Sequence, residues 1–424
     1  MSAGALKFRH EGSLAAGAPW SMLPAPRHPL SPAVDLASRA APADSDEPYA
    51  ELLSLDQVSH HRAAWEALIA RALEPNVFIE PAFALAAARH FAIIQRPRFL
   101  LVWSPSCRGL PRTLIGLCLI ASAGIMDAGL ARGWVTRQAA LGTPLLDREQ
   151  ASAALEAMLR FAASRLRRAS LLLQKIPQEG ATNGIIRAMA SAKGHELRML
   201  AAHRRAYLSG GTVGAAALQA GLPAKRRKEL RRQRRRLDGG AGLELVSARR
   251  PDEIRQAVEY FLRLEARGWK GAGGTALLCD PGETAFLRTA TRGLAEAGKC
   301  RIDMLMRGDA PAAMAIVLES GGHAAFWKIA FDEAFASYSP GLQLTLELSR
   351  LQVGDATVAI TDSCAIAGHP MIDRVWPERL AVTDMLIATR PGHAASFGLA
   401  HVRVALGGRL REAAKAAYYR LKQT

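Results

Sequence analysis

The chain has 424 residues, is 50% hydrophobic and carries a net charge of +17, so it is long enough for two or three domains and must display excess basic charge on its surface. Its longest central apolar run, residues 114–126, is too short to span a bilayer, and the N-terminus sets no continuous apolar stretch beside its basic residues, which argues against a secretory signal. Five widely spaced cysteines without a CxxC pair (Cys107, Cys118, Cys279, Cys300 and Cys364) argue against a disulfide framework or a zinc ribbon and for a reducing, cytoplasmic compartment.

In chain order, residues 1–47 are rich in Ala, Pro and Ser without a sustained period, the mark of a disordered leader. A strand is expected over 49–55, helices over 59–72 and 81–90, and paired strands over 99–103 and 114–121. A helix over 149–165, a strand over 170–175, a helix over 182–192 and a strand over 197–208 complete a first half, 48–213. The second half, 214–392, follows with a strand over 243–248 and helices over 251–267 and 283–297. Strands over 300–307, 312–319 and 324–331, a helix after Pro340 and a strand over 356–361 come next, and 393–424 form a helical tail. The two halves share a rough order of helices, antiparallel strands and a strand–helix–strand unit, which predicts an α/β fold with a mixed sheet, internally duplicated.

The charge is concentrated. From Lys225 to Arg236 (KRRKELRRQRRR) stand nine basic residues and one acid, close to half of the net total. Leu222, Leu230 and Leu237 fall on one helical face, so the run is the basic side of an amphipathic helix. It is either a solvated face or a contact for an anionic partner: cofactor phosphates, nucleic acid such as tRNA, or an acidic membrane surface. It holds no aromatic residue, and therefore no base-stacking platform.

The segment AAFWKIAFDEAFASYSPGLQLTLELSRLQ, from Ala324 to Gln352, carries the strongest local signal. A buried strand runs into an acidic and aromatic loop, and Ser339-Pro340-Gly341 then opens an apolar segment. Ser339 suits an N-cap, Pro340 the first helical position, and Gly341 the close approach of a ligand to exposed amides. Together they predict a helix N-terminus beside a strand end, a site for phosphate or pyrophosphate. Leu342 to Leu348 also alternates with period two, so a strand competes with the helix.

Three further groups bear on chemistry. Leu264 to Gly271 reads as a helix stopped by glycines with Trp269 packed on the core; the alternative is a mobile loop whose Trp269 and Lys270 cover a substrate. Lys328 lies in an otherwise apolar strand, facing opposite to Trp327, and must reach solvent, a carboxylate or a ligand. Asp332 and Glu333 follow at the strand exit, where a base for an incoming amine would lie. At the next strand end, Asp362 and His369 suit a substrate cleft better than Cys364 with His369 suits a nucleophile pair, or the same residues with Asp373 a metal site. The chain holds no GxxxxGK[ST], HExxH or GxSxG motif.

These pieces in order, Leu264-Glu265-Ala266 with Gly268-Trp269-Lys270-Gly271, Gly274-Thr275-Ala276, Trp327-Lys328-x-x-x-Asp332, Tyr338-Ser339-Pro340-Gly341 and Asp362-Ser363, resemble the CelD-like family of bacterial acyltransferase-like proteins. That group is linked to cellulose and other exopolysaccharide biosynthesis, belongs to the GNAT superfamily and is close to the FemAB-type transferases. The likeness extends to Phe78-x-x-Pro81 and Leu141-Gly142-Thr143-Pro144-Leu145 and spans roughly Leu55 to Arg379. It implies tandem GNAT-like lobes, with mixed and largely antiparallel sheets flanked by helices. With the repeated element order, it places two lobes at about 49–208 and 222–389, and a cleft near Lys328, Asp332 and Asp362. It further implies acyl-CoA, acetyl-CoA first, as co-substrate without a metal, with Tyr338, Ser339, Pro340, Gly341 and Leu342 at its pyrophosphate.

The expected activity is transfer of an acyl group to an amine or hydroxyl of a small molecule or saccharide, in polysaccharide or cell-envelope biosynthesis. Asp362 is the expected base or acceptor-orienting residue, with Asp332 and His369 as alternatives and Lys328 holding an oxyanion or carboxylate. The competing readings are a FemAB-type transferase using charged tRNA, and a non-catalytic accessory of exopolysaccharide synthesis. The basic run also suits peripheral attachment at the inner membrane.

Overall fold

The computed structural model describes residues 46–91, 96–106, 111–122 and 129–421. The expected leader lies outside the described residues apart from its last two, as does Cys107. Among the described residues the strands form two sheets. The smaller comprises β1 (Tyr49–Leu53), β2 (Pro97–Trp103), β3 (Leu114–Ala121) and, past the short β4 (Leu130–Arg132), β5 (Leu145–Leu146), all antiparallel. α1 (Leu55–Ser59) starts on a reciprocal cap in which the Ser54 hydroxyl accepts from the Gln57 amide and the Gln57 side chain accepts from the Ser54 amide. α2 (Arg62–Ala70) and α3 (Pro81–His90) cover one face of this sheet, and α4 (Ala151–Ser164) the other. That explains why all eight residues of β3 are buried: both of its faces meet helices, so no polar alternation survives.

The larger sheet starts at β4 and continues through β6 (Ser170–Pro177), α5 (Ala181–Lys193) and β7 (Leu197–Ser209). α6 (Gly211–Gly221) and the basic α7 (Ala224–Asp238) lead into the second half. There β8 (Leu243–Ala248), α8 (Pro251–Arg267), α9 (Trp269–Ala272) and α10 (Pro281–Glu296) precede β9 (Cys300–Arg307), β10 (Ala310–Ser320) and β11 (His323–Phe331). α11 (Pro340–Gly354) then leads to β12 (Ile360–Asp362), which lies parallel to β11. Met314, Ile316 and Leu318 of β10 point to Phe261 of α8 and Phe286 of α10. Ala313, Ala315 and Val317 point the other way, to Leu344 and Leu348 of α11. The Leu342–Leu348 ambiguity is thus settled as helix, although Leu351, the next leucine at helical spacing, is half exposed.

The order of the larger sheet is β4-β6-β13-β7-β12-β11-β10-β9-β8. Its third member, β13 (Glu378–Ala388), was not anticipated from sequence, and the strand expected over 356–361 is the shorter β12. β13 is inserted antiparallel between β6 and β7, so the last strand of the chain completes the sheet of the first half. A cut at 213 therefore parts β7 from β12 and β13, to which it is hydrogen-bonded. Last comes α12 (Ala394–Leu421), whose Phe397 and Ala400 pack on Leu172 of β6 and Leu386 of β13.

Candidate active site

β11 pairs with β10 along most of its length, but with β12 only from His323 to Ala325. Beyond the Ala325–Asp362 rung the two parallel strands part, and the β12-side edge of β11 loses its strand partner. On the other edge the register shifts opposite Ile316 and Val317, so that Ile316 faces Lys328, Val317 faces Phe326 and Trp327 is bulged. The bulge overturns the expectation that Trp327 and Lys328 face opposite ways. The Trp327 indole donates to the Gln138 carbonyl at 2.8 Å and Lys328 Nζ donates to Gln138 Oε1 at 2.5 Å.

Gln138 lies on a segment, 134–143, of the first half, and its Nε2 donates to Glu283 Oε2 at 2.5 Å; Arg137 also holds the buried Glu283. Burial pushes the Lys328 ammonium down to about 8, against the opposing pull of Glu265 and with help from Lys270. Glu265 in turn accepts from Lys270 Nζ at 2.6 Å and from the Leu277 amide at 2.9 Å. Trp269 is mostly exposed rather than packed on the core, with its amide donating to Glu333 Oε1 at 2.5 Å.

Where β12 ends, both oxygens of Asp362 accept from Arg205 of β7, at 2.7 and 2.5 Å, and Oδ1 also accepts from the Cys364 amide at 2.9 Å. The Arg205 guanidinium is almost wholly buried and reaches the Ala140 carbonyl at 3.2 Å. Lys175 Nζ donates to the neighbouring Ala139 carbonyl at 2.6 Å. Three cationic side chains thus seat the 134–143 segment by its oxygens. Burial and Asp362 raise the Cys364 thiol well above its usual range, so it rests as the thiol.

The strand-to-helix turn completes the geometry. Ser339 does not cap α11 with its hydroxyl, contrary to expectation. Its φ of 54° and ψ of 51° are left-handed, whereas the side-chain cap needs an extended backbone; Ser339 also ends the preceding turn, its amide donating to Ala336 O at 3.0 Å. Pro340 occupies the first helical position and Gln343 N donates to Ser339 O. Among the described residues, the Gly341 and Leu342 amides find no acceptor. They border a cavity of about 830 Å³ walled by Ser339–Leu342, Phe331, Gly221 and Met371, with Arg226 of α7 and Arg374 at its edge. Tyr338 is not in that wall; it is half-buried against the core cluster that holds Leu344 and Leu348 of α11.

Gly341 has a different reason from the one its sequence context suggests. A Cβ there would lie 3.3 Å from Phe331 Cδ1 and 3.6 Å from Ile329 Cδ1, so the missing side chain lets α11 close on β11. Gly341→Val is expected to cost about 1–3 kcal/mol through overpacking, read as a lowered midpoint in denaturant melts. A variant as stable as the parent rules out this tight seat.

The other expected residues fall outside the Lys328 network. Asp332 accepts from the Ala334 amide at 2.9 Å, and His369 Nδ1 accepts from the Met371 and Ile372 amides at 3.3 and 3.4 Å. Burial lowers the His369 imidazole, which fits this acceptor role. Gln138, Lys175, Arg205, Glu265 and Glu283 were not singled out for this chemistry from sequence. Arg205 within a strand and Glu265 on an apolar helix face were the available signals: buried charges that demand partners.

Residues 224–355, from the start of α7 to just past α11, match the family model described as an acetyltransferase (GNAT) domain. No curated protein matches the chain. Among solved structures, that of FemX is similar at 9% identity over 77% of this chain and 95% of that one, with a TM-score of 0.51. A conserved protein of unknown function from Bacteroides thetaiotaomicron VPI-5482 shares 12% identity over 77% and 97% of the chains, with a TM-score of 0.47. A tandem GNAT protein from the clavulanic acid biosynthesis pathway shares 16% over 82% and 100%, with a TM-score of 0.39. Residues 224–355 are thus similar to a GNAT acetyltransferase domain, and they lie within a mixed α/β fold.

Proposed function

We propose that the protein is an acyl-CoA-dependent acyltransferase acting on a small-molecule or saccharide acceptor, and the observation that carries this is the pair of unpaired amides, Gly341 and Leu342, facing the large cavity at the open end of β11. Amides at a helix N-terminus suit a pyrophosphate, and Arg226 and Arg374 add positive charge at the rim. From Phe331 back to Trp327 the strand covers about 13 Å, a span for the pantetheine arm along the unpaired edge. This leads the thioester toward Lys328.

There the acceptor nitrogen or oxygen attacks the thioester carbonyl, the C–S bond breaks and the displaced sulfur leaves as the thiol. Lys328, neutral above about pH 8, takes the proton lost by the acceptor and returns it to the sulfur. Asp362, engaged on both oxygens by Arg205, orients the site rather than taking the proton. Asp332 and His369 serve their turns, so Asp332→Asn and His369→Ala are expected to retain near-normal rates. The CelD-like likeness supports a saccharide acceptor in polysaccharide or cell-envelope biosynthesis.

Acetyl-CoA binding tests the donor. Arg226→Ala with Arg374→Ala is expected to weaken it about tenfold or more at low salt, with a smaller salt dependence than the parent. Unchanged affinity by titration calorimetry rejects the cavity as the donor site. A second reading rests on α7, which packs through Leu230 and Leu237 and leaves Lys225, Arg227, Lys228, Arg231 and Arg235 exposed. That face suits the phosphates of a charged tRNA or of an anionic membrane surface at which a cytoplasmic enzyme attaches. No described helix is long and apolar enough to cross a membrane.

A further inference from the structure

A groove of about 550 Å³ lies between α6, α7 and α11. Its floor is apolar, from Leu218, Leu230, Leu346 and Val353, and Arg227, Arg231, Arg234 and Arg350 stand along it. The one carboxylate in this wall, Glu347, lies 3.1 Å from Arg234 and 3.0 Å from Arg350. The other two arginines are left over. Arg227 donates to the Gln219 carbonyl at 3.0 Å, and Arg231 meets no carboxylate among the described residues. The same holds for Lys225, Lys228, Arg235 and Arg236, all exposed on α7.

The opposite wall has the reverse chemistry. From Ser209 to Ala224 the chain carries no charged residue, and α6 buries only Gly214. Its Val213 stays 63% exposed, and Leu351 of α11, one turn beyond Glu347, is 49% exposed. Either side chain would be ordinary alone. Here an uncharged helix, an outward leucine and a leucine-floored groove stand beside a dense row of unpaired cations. That juxtaposition of apolar surface and basic side chains is the composition of an element that lies in a membrane interface.

We propose that α6 and α7 dock the protein on an anionic phospholipid surface. A headgroup phosphate is held by Arg227 and Arg231, one turn apart on α7, and the glycerol end of the lipid rests on the leucine floor. Val213 and Leu351 enter the upper acyl region, while the remaining lysines and arginines of α7 reach neighbouring headgroups. The docking rests on the reading above that this face of α7 meets phosphates, and it selects between the two partners named there. A tRNA backbone would use the arginines but leave Val213, Leu351 and the groove floor facing water; a bilayer interface uses both sets.

Cosedimentation of the full chain with vesicles tests the assignment. Phosphatidylcholine vesicles holding about one third phosphatidylglycerol are expected to bind it tenfold or more tightly than pure phosphatidylcholine. Arg231→Glu with Arg235→Glu is expected to remove about tenfold or more of that affinity, and Val213→Ser with Leu351→Ser about tenfold through lost apolar insertion. All four side chains are exposed, so both variants keep the fold. Bulk tRNA is the competing occupant, and the serine pair is expected to leave any tRNA binding unchanged. Equal binding to the two kinds of vesicle overturns the docking surface, as does a serine pair that binds anionic vesicles as the parent does. Tight tRNA binding by a chain that ignores vesicles also overturns it and gives α7 to nucleic acid. Binding to neither rejects the phosphate reading of α7 as well, and acetyl-CoA affinity, expected to be the same in both variants, tests the donor cavity separately.

Discussion

Lys328→Met is expected to lower acyl-transfer turnover by about 10²–10⁴-fold and, below pH 8, to make the protein more stable. The first effect follows from loss of the proton acceptor on the open edge of β11. The second follows from linkage. In the folded protein the ammonium titrates near 8, against 10.5 for an ordinary lysine, because burial disfavours its charge. Below pH 8 the group is protonated whether the chain is folded or not, and folding bears the whole cost of burying it. That cost is on the order of 3 kcal/mol at 1.4 kcal/mol per pH unit, and it fades as pH rises from 8 to 10.5. The parent should therefore gain stability across that window, while the methionine variant should be flat. Initial rates of thiol release, followed against pH, should rise with a midpoint near 8 in the parent. A rate that falls as pH passes 8 would instead make the charged ammonium the working form, holding an oxyanion.

The second large effect concerns Asp362. Its partner Arg205 keeps only 3% of its side chain exposed, so Asp362→Ala strands a guanidinium in the interior. Breaking a buried pair from one side costs about 3–5 kcal/mol, and this variant should lose that much in urea melts. The double variant Arg205→Met with Asp362→Leu should recover most of it, because no unpaired charge remains. If Asp362 were the base, a variant with normal stability and crippled turnover would be the outcome. A large stability loss with full recovery in the double variant identifies a structural pair.

Local chemistry made much of this legible in the sequence. Pro81, Pro251 and Pro340 each stand at the first helical position of a helix that was expected to start there, and Pro281 opens a helix that was expected from 283. The strand–turn–helix at Ser339–Gly341 was likewise legible as local structure, although its serine and glycine act differently from their local reading. β13 escaped because its ladder shifts between Thr383 and Met385, so the alternation changes phase within the run. Lys328 was recognisable as a buried charge, but its partner Gln138 lies 190 residues away and Arg205 lies 157 residues from Asp362. Pairings at that range depend on which strands come together, and a single sequence carries no local trace of that choice.

The insertion of β13 between β6 and β7 also sets an order of assembly. Ser209, at the end of β7, and Glu378, which it bonds, are 169 residues apart. At ribosomal rates the interval between them is on the order of 10–30 s. For that time β6 and β7 have no strand between them, and Leu171, Leu172 and Leu173 of β6 wait for a neighbour still inside the ribosome. The emerging first half is thus a client for chaperones, and chains that stop short of residue 378 leave an open, sticky sheet rather than a smaller working domain.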